Sequence, residues 1–161
     1  MLNQALAKAL NDQFNKELYA SHLYLSISAY FEAQNLPGFA HWMRAQAAEE
    51  REHAERFYNY LVDRDARIRV GALEEPPAEF ASPLKAFEAA LEHEREITAS
   101  INAIYDLAVK EKDYATQAFL DWFVTEQVEE EKSVKEVIDM LKLMGESGHG
   151  LLVLDHKLSS R

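Results

Sequence analysis

The chain contains no cysteine. That absence excludes disulfides, thiolate-bound zinc, cysteine-held iron–sulfur clusters and a Cys nucleophile. Any metal the protein holds must be bound by oxygen and imidazole, a hard donor set that suits iron, manganese, magnesium or calcium. Glycine and proline are scarce, five and four in 161 residues, which favours long helices over a fold of many short strands and turns. No apolar run approaches the roughly 18 residues that a membrane-spanning helix needs, so no membrane partner is expected. The opening residues, Met1 to Lys8, lack the apolar stretch of a signal peptide, and a cytoplasmic location is the expectation. Basic residues are outnumbered, 17 Lys and Arg against 28 Asp and Glu, for a formal net charge of −11. Binding to phosphates requires clustered Lys and Arg, which argues against a nucleic-acid partner. An acidic surface suits a protein that gathers cations, and equally one that simply repels its neighbours.

What remains reads as one all-α domain spanning residues 1–161, long enough to bury a sizeable core. Four long helical stretches are predicted over about 3–34, 39–65, 82–112 and 114–144, with a short fifth helix over about 150–158. Asn35-Leu36-Pro37-Gly38 closes the first. Ser82-Pro83 reads as an N-cap followed by proline at the first helical position, and Asp113 reads as the cap of the fourth. Tight connections between helices one and two, and between three and four, predict two antiparallel hairpins. The segment from about Ala66 to Ala81 is unusually long for a compact domain. At roughly 3.3 Å per residue it reaches along a bundle, which would set helices two and three parallel.

Each long helix carries an apolar face at steps of three, four and seven. Helix one offers Leu10, Glu17, Tyr24 and Phe31. Helix two offers Met43, Gln46, Glu50, His53, Phe57 and Leu61. Helix three offers Phe87, Leu91, Glu94, Thr98, Ile101 and Tyr105. Helix four offers Leu120, Val124, Gln127, Glu130, Val134, Ile138 and Leu141. One carboxylate interrupts each face: Glu17, Glu50, Glu94 and Glu130. His53 stands three after Glu50, and Gln127 three before Glu130, so each pair shares a face. Glu17 and Glu50 are 33 residues apart (17 to 50), as are Glu94 and Gln127 (94 to 127). The two hairpins thus resemble a duplicated unit that sets polar groups at one depth.

Ionised carboxylates are costly in a low-dielectric interior, where they pair, take up protons or bind metal. No Lys or Arg occupies these faces. Two divalent cations would balance four carboxylates. Taken singly, each Glu reads as a solvated charge and His53 as an ordinary core or surface histidine; the argument for a two-metal site is that all four helices contribute. Glu49, Glu126 and Glu129 lie beside this set. They fit either a third cation or plain charged helix faces. Tyr24, two turns after Glu17, fits a core tyrosine, a hydrogen-bond donor to a metal-bound carboxylate or an electron donor. Trp42 and Trp122 read as packing residues. His22, His41, His93, His149 and His156 have no evident partners and read as surface or core histidines.

This arrangement resembles that of the ferritin-like carboxylate bundles, and within them the non-haem ferritins of bacteria and archaea. The resemblance covers almost the whole chain and is carried by Glu17-Leu18-Tyr19-Ala20-Ser21, Glu49-Glu50-Arg51-Glu52-His53-Ala54, Phe123 to Glu131 and Leu154 to Ser159. It implies a ferritin-like four-helix bundle with a long crossover between helices two and three and a short fifth helix. It implies a ferroxidase centre that oxidises Fe(II) with oxygen or hydrogen peroxide and stores ferric mineral. Glu17, Glu50 and His53 would hold the first iron and Glu94 and Glu130 the second, with Glu50 bridging and Gln127 close by. Glu49, Glu126 and Glu129, with Glu130, would hold a third, and Tyr24 would stand beside the centre. Family members form hollow homo-oligomeric shells of 24 subunits, in which the fifth helix would line the four-fold axis.

Departures from related families narrow the expectation. Gln127-Val128-Glu129-Glu130 replaces the Glu-x-x-His of bacterioferritins and rubrerythrins. Arg51 stands where bacterioferritins carry their haem-binding Met, so no haem is expected. The acidic pair of the animal ferritin pores falls on Gln117 and Leu120. Two other readings remain open on the residues: a di-metal oxidase or peroxidase acting on an organic substrate, and a helical interaction module whose acids face solvent.

Overall fold

A computed structural model describes all 161 residues. Five helices follow one another: α1 (Gln4–Ala33), α2 (Pro37–Asp63), α3 (Pro83–Lys110), α4 (Tyr114–Met144) and α5 (Gly148–Leu158). Side-chain caps open four of them. Asn3, Ser82, Asp113 and Ser147 each accept from a backbone N–H in the first turn, satisfying donors that have no partner within the helix. α2 begins two residues before the expected position, because Pro37 occupies the first helical turn, where its missing N–H costs nothing.

The ends of α1, α2 and α3 share one device. Asn35, Asp65 and Lys112 adopt positive φ near 55°, and the next residue bonds back to the helix: Leu36 N to Phe31 O, Ala66 N to Leu61 O and Asp113 N to Ala108 O, at 2.9–3.0 Å. This left-handed stop is usually taken by glycine. It reverses the chain in a few residues after α1 and α3, giving the two antiparallel hairpins. Between α2 and α3 the chain instead runs extended along α1. Asn11 and Asn15 hold it at Arg69 and Gly71, and Ser26 donates to Pro77 O at 2.6 Å.

α1 packs on α2 and α3, and α3 on α4. α2 and α4 meet through Phe57 and Phe123, whose ring centres are 4.3 Å apart, and through an Arg64–Asp113 ion pair. The bundle therefore closes. Its apolar interior forms two separate clusters. One contains Tyr24, Ile27, Phe31, Phe39, Phe87 and Val134; the other contains Leu6, Leu10, Phe57, Ile101, Leu120 and Phe123. Between them lies a buried polar stratum made by Gln13, Glu17, Gln46, Glu50, His53, Glu94, Gln127 and Glu130.

Some expected face residues turn outward. Val124 is 38% exposed, and Phe123, at 1%, fills the core in its place. At about 100° per residue, Phe123 points in the direction shared by the buried Gln127, Glu130 and Val134, and Val124 points away from it. On α3 the inward line runs through Ala90, Glu94, Ile97, Ile101 and Ile104, leaving Leu91, Thr98 and Tyr105 half-buried. Trp42 packs in the core, but Trp122 lies at the surface beneath the Arg56 guanidinium, 3.8 Å from the ring centre. No helix is long and apolar enough to cross a membrane.

Candidate metal centre

The stratum exists because each helix places one carboxylate where its apolar face crosses the middle of the bundle. Glu17, Glu50, Glu94 and Glu130 are each at most 3% exposed, as are His53 and Gln127. Among the Lys and Arg side chains, only Arg161 bonds a member of the layer, at Gln46 on its edge. Three donor groups have atoms within 4.8 Å of one another: Glu17, Glu50 and His53; Glu50, Glu94 and Glu130; and His53, Glu126 and Glu130. Glu50 belongs to the first two. A carboxylate shared by two buried donor groups in this way is one that could serve two metal ions.

The hydrogen bonds inside the layer leave metal-facing atoms free. Gln13 donates to Glu17 Oε1 at 2.8 Å, while Glu17 Oε2 has no partner. His53 Nδ1 lies 3.1 Å from Glu50 Oε2, while Glu50 Oε1 has none. Tyr24 donates to Glu94 Oε1 at 2.6 Å and Gln127 Nε2 to Glu94 Oε2 at 3.2 Å; Gln127 Oε1 is unpartnered. Gln46 donates to Glu130 Oε2 at 2.5 Å. Buried oxygens without a donor are costly. Glu17 and Glu50 share one donor group with His53, and a cation held there would satisfy both of their free oxygens.

Titration follows the same physics. Burial pushes Glu17 up to about 7, against the hydrogen bond from Gln13 that favours its anion. Burial, aided by the charge of Glu94, pushes Glu130 up to about 8. Glu50 is raised well above its ordinary value by burial and by Glu94, Glu17 and Glu130 around it. Burial and the nearby Arg56 hold His53 down at about 4. His53 is thus neutral at physiological pH, the form that binds metal, and the carboxyls keep protons that an arriving cation would displace.

The family model described as a ferritin-like domain matches residues 7–144. The chain belongs to the ferritin family. It is 40% identical to the bacterial non-heme ferritin of Bacteroides fragilis, over the full length of both chains. It is 39% identical to that of Campylobacter jejuni, covering 99% of this chain and 96% of the other. Its fold matches the crystal structure of an open-pore ferritin from the archaeon Archaeoglobus fulgidus with a TM-score of 0.99 and 44% identity, covering 100% of this chain and 99% of that one.

Within this ferritin fold the flanking acids are placed unequally. Glu126 is half-buried and joins His53 and Glu130. Glu129 is exposed and belongs to none of the three donor groups. Glu49 is turned to Arg161, 3.0 Å away. Leu120, where animal pore acids were aligned, is fully buried, and Gln117 turns back to the Ala108 carbonyl. His93 is nearly buried, edge-on to Tyr19, with Nε2 unpartnered. Gln13 and the polar role of Gln46 escaped the sequence reading. A signal was present: they precede Glu17 and Glu50 by four, and are themselves 33 residues apart (13 to 46).

Proposed function

We propose that this chain is an iron-storage subunit with a ferroxidase centre of two irons. The observation that carries it is Glu50 shared between two buried donor groups with unpartnered oxygens. Glu17, Glu50 and His53 take one Fe(II); Glu50, Glu94 and Glu130 take the other, with Gln127 and Tyr24 fixing Glu94. Each Fe(II) gives up one electron. Together they supply the two electrons that, with two protons, reduce O₂ to hydrogen peroxide; peroxide itself accepts two more on a further turn. Carboxylates favour the harder ferric ion, so the donor set drives the oxidation forward, and protons on Glu17, Glu50 and Glu130 leave as metal enters.

Family membership supports a homo-oligomeric shell of 24 subunits that collects the ferric product, located in the cytoplasm and without haem. Glu49, Glu126 and Glu129 would serve a third cation. A cavity of about 660 Å³ between α1, α3 and the crossover is lined by Tyr19, Phe80 and His93 and includes none of the two-iron side chains. That placement favours iron over an organic substrate as what is oxidised.

Anaerobic Fe(II) titration of gel-filtered protein, followed by oxygen, tests the proposal. Oxidation that saturates fast near two irons per chain, in a large particle that then takes up many more, is expected. A small particle with two irons and no further uptake would replace storage with a di-iron oxidase.

A further inference from the structure

Arg161 follows α5 and folds back onto α2. Its placement is anchored. α5 seats on the start of α2, where Asp155 Oδ1 accepts from Phe39 N at 2.9 Å. Gly38 meets the Asp155 backbone so closely that a Cβ there would fall 1.7 Å from the carbonyl oxygen. Beyond α5, His41 Nε2 lies 2.8 Å from the Arg161 carbonyl oxygen. The guanidinium then lies over Trp42, 4.4 Å from the ring centre. It donates to Glu49 Oε1 at 3.0 Å and also to Gln46 Oε1. Trp42, Gln46 and Glu49 follow at steps of four and three, so they form one stripe on α2.

Gln46 connects this stripe to the metal centre. A guanidinium only donates, so it engages the carbonyl end of the amide and turns Nε2 toward Glu130. Glu49 is the other end of the contact. Its carboxylate is neutralised by arginine, while Glu126 and Glu130 group with His53 without it. The cation nearest to Glu49 is therefore one that the chain itself supplies.

We propose that Arg161 is a tethered, displaceable cation of the metal centre: its guanidinium occupies Glu49 and orients Gln46, and a further metal ion drawing on Glu49 must displace it. This rests on the two-iron reading, to which it adds a competitor for the adjoining position. Displacement takes the guanidinium off the indole of Trp42 and frees Gln46, so that loading beside Glu49 is felt at Glu130 and at the end of α5.

Trp42 is a built-in reporter, because Trp122→Phe leaves it as the only tryptophan. Full-length protein carrying that change, titrated with Zn(II) as a redox-inert probe, is followed by calorimetry and by Trp42 emission. The first two zinc ions per chain should leave the emission nearly unchanged, and further zinc should shift it. Adding Arg161→Ala should abolish that shift and tighten the further zinc roughly fivefold, the scale of a partly exposed ion pair with a cation–π contact. Arg161→Lys, which keeps the charge but not the fork, should fall between. Equal affinity for the further zinc with and without Arg161, or emission indifferent to it, would overturn the role of Arg161 alone. Two zinc ions and no more in every variant would do the same. Failure to bind even the first pair would overturn the two-iron centre with it.

Discussion

Tyr24 on α1 donates its hydroxyl to Glu94 Oε1 on α3, 2.6 Å away and 70 residues later in the chain. Both side chains are almost wholly buried. With Gln127 on the other oxygen, the contact fixes the direction in which Glu94 would present itself to the second iron of the proposed centre. Tyr24→Phe removes the donor without changing the ring. The metal-free variant should lose about 1–3 kcal/mol of stability, the cost of a buried oxygen left unpaired. Denaturant unfolding in the presence of chelator measures this, and an unchanged midpoint and slope would refute the role.

His53 and Glu130 face each other across α2 and α4, with Nε2 and Oε1 3.9 Å apart. His53→Ala and Glu130→Ala each delete a donor while leaving both apolar clusters intact. Initial Fe(II) oxidation should slow by on the order of 100-fold, the upper range seen when a metal site loses supporting groups, with particle size unchanged. Stopped-flow absorbance together with gel filtration gives both readings. An undiminished rate in both variants would remove these residues from the centre.

The raised carboxyls give a pH dependence of definite sign. Glu17 and Glu130 hold their protons to about 7 and about 8, above the ordinary 4.5. Between 4.5 and those values the folded chain keeps protons that the unfolded chain releases, so this contribution to metal-free stability is present at low pH and lost as pH rises through the window. His53 runs the other way: held at about 4 against an ordinary 6.5, its contribution is lost as pH falls between them. Metal binding displaces the carboxyl protons, so Zn(II) should release more protons at about pH 6 than at about pH 8.5. Calorimetry in buffers of different ionisation enthalpy counts them. Equal release at both pH values would contradict the raised carboxyls.

Gly38 is tight for a different reason. A methyl group there has no room against the Asp155 backbone, so Gly38→Ala must push α5 away from α2. A loss of about 1–3 kcal/mol is expected, with faster proteolysis in α5 than elsewhere. Retention of native protease resistance in α5 would show that the contact yields more easily than its geometry indicates.

Much of the site was legible because it obeys helical arithmetic. Glu17, Glu50, Glu94 and Glu130 stand at inward positions of four periodic faces, and the 33-residue steps from Glu17 to Glu50 and from Glu94 to Gln127 set the two hairpins' polar groups at one depth. Val124 shows the limit: along a 31-residue helix a one-residue error in the inward line exchanges it for Phe123. Gln13 and Gln46 were legible in principle through the same 33-residue spacing. The contact of Arg161 with Gln46 was not, since 115 residues separate them and no local pattern relates the two.

The sequence by itself determined the helices, the Ser82 and Asp113 caps, the hairpin pairs and the one carboxylate on each buried face, because these depend on residues within a few turns of one another. Tertiary structure decided which oxygen each donor satisfies and which remain free. It decided that Glu50 is shared between two groups, that Glu49 faces Arg161 while Glu126 faces the centre, and that α5 seats on Gly38. These follow from how the helices rotate and close on one another. Such rotations come from packing the whole interior at once, and no segment of the chain encodes them alone.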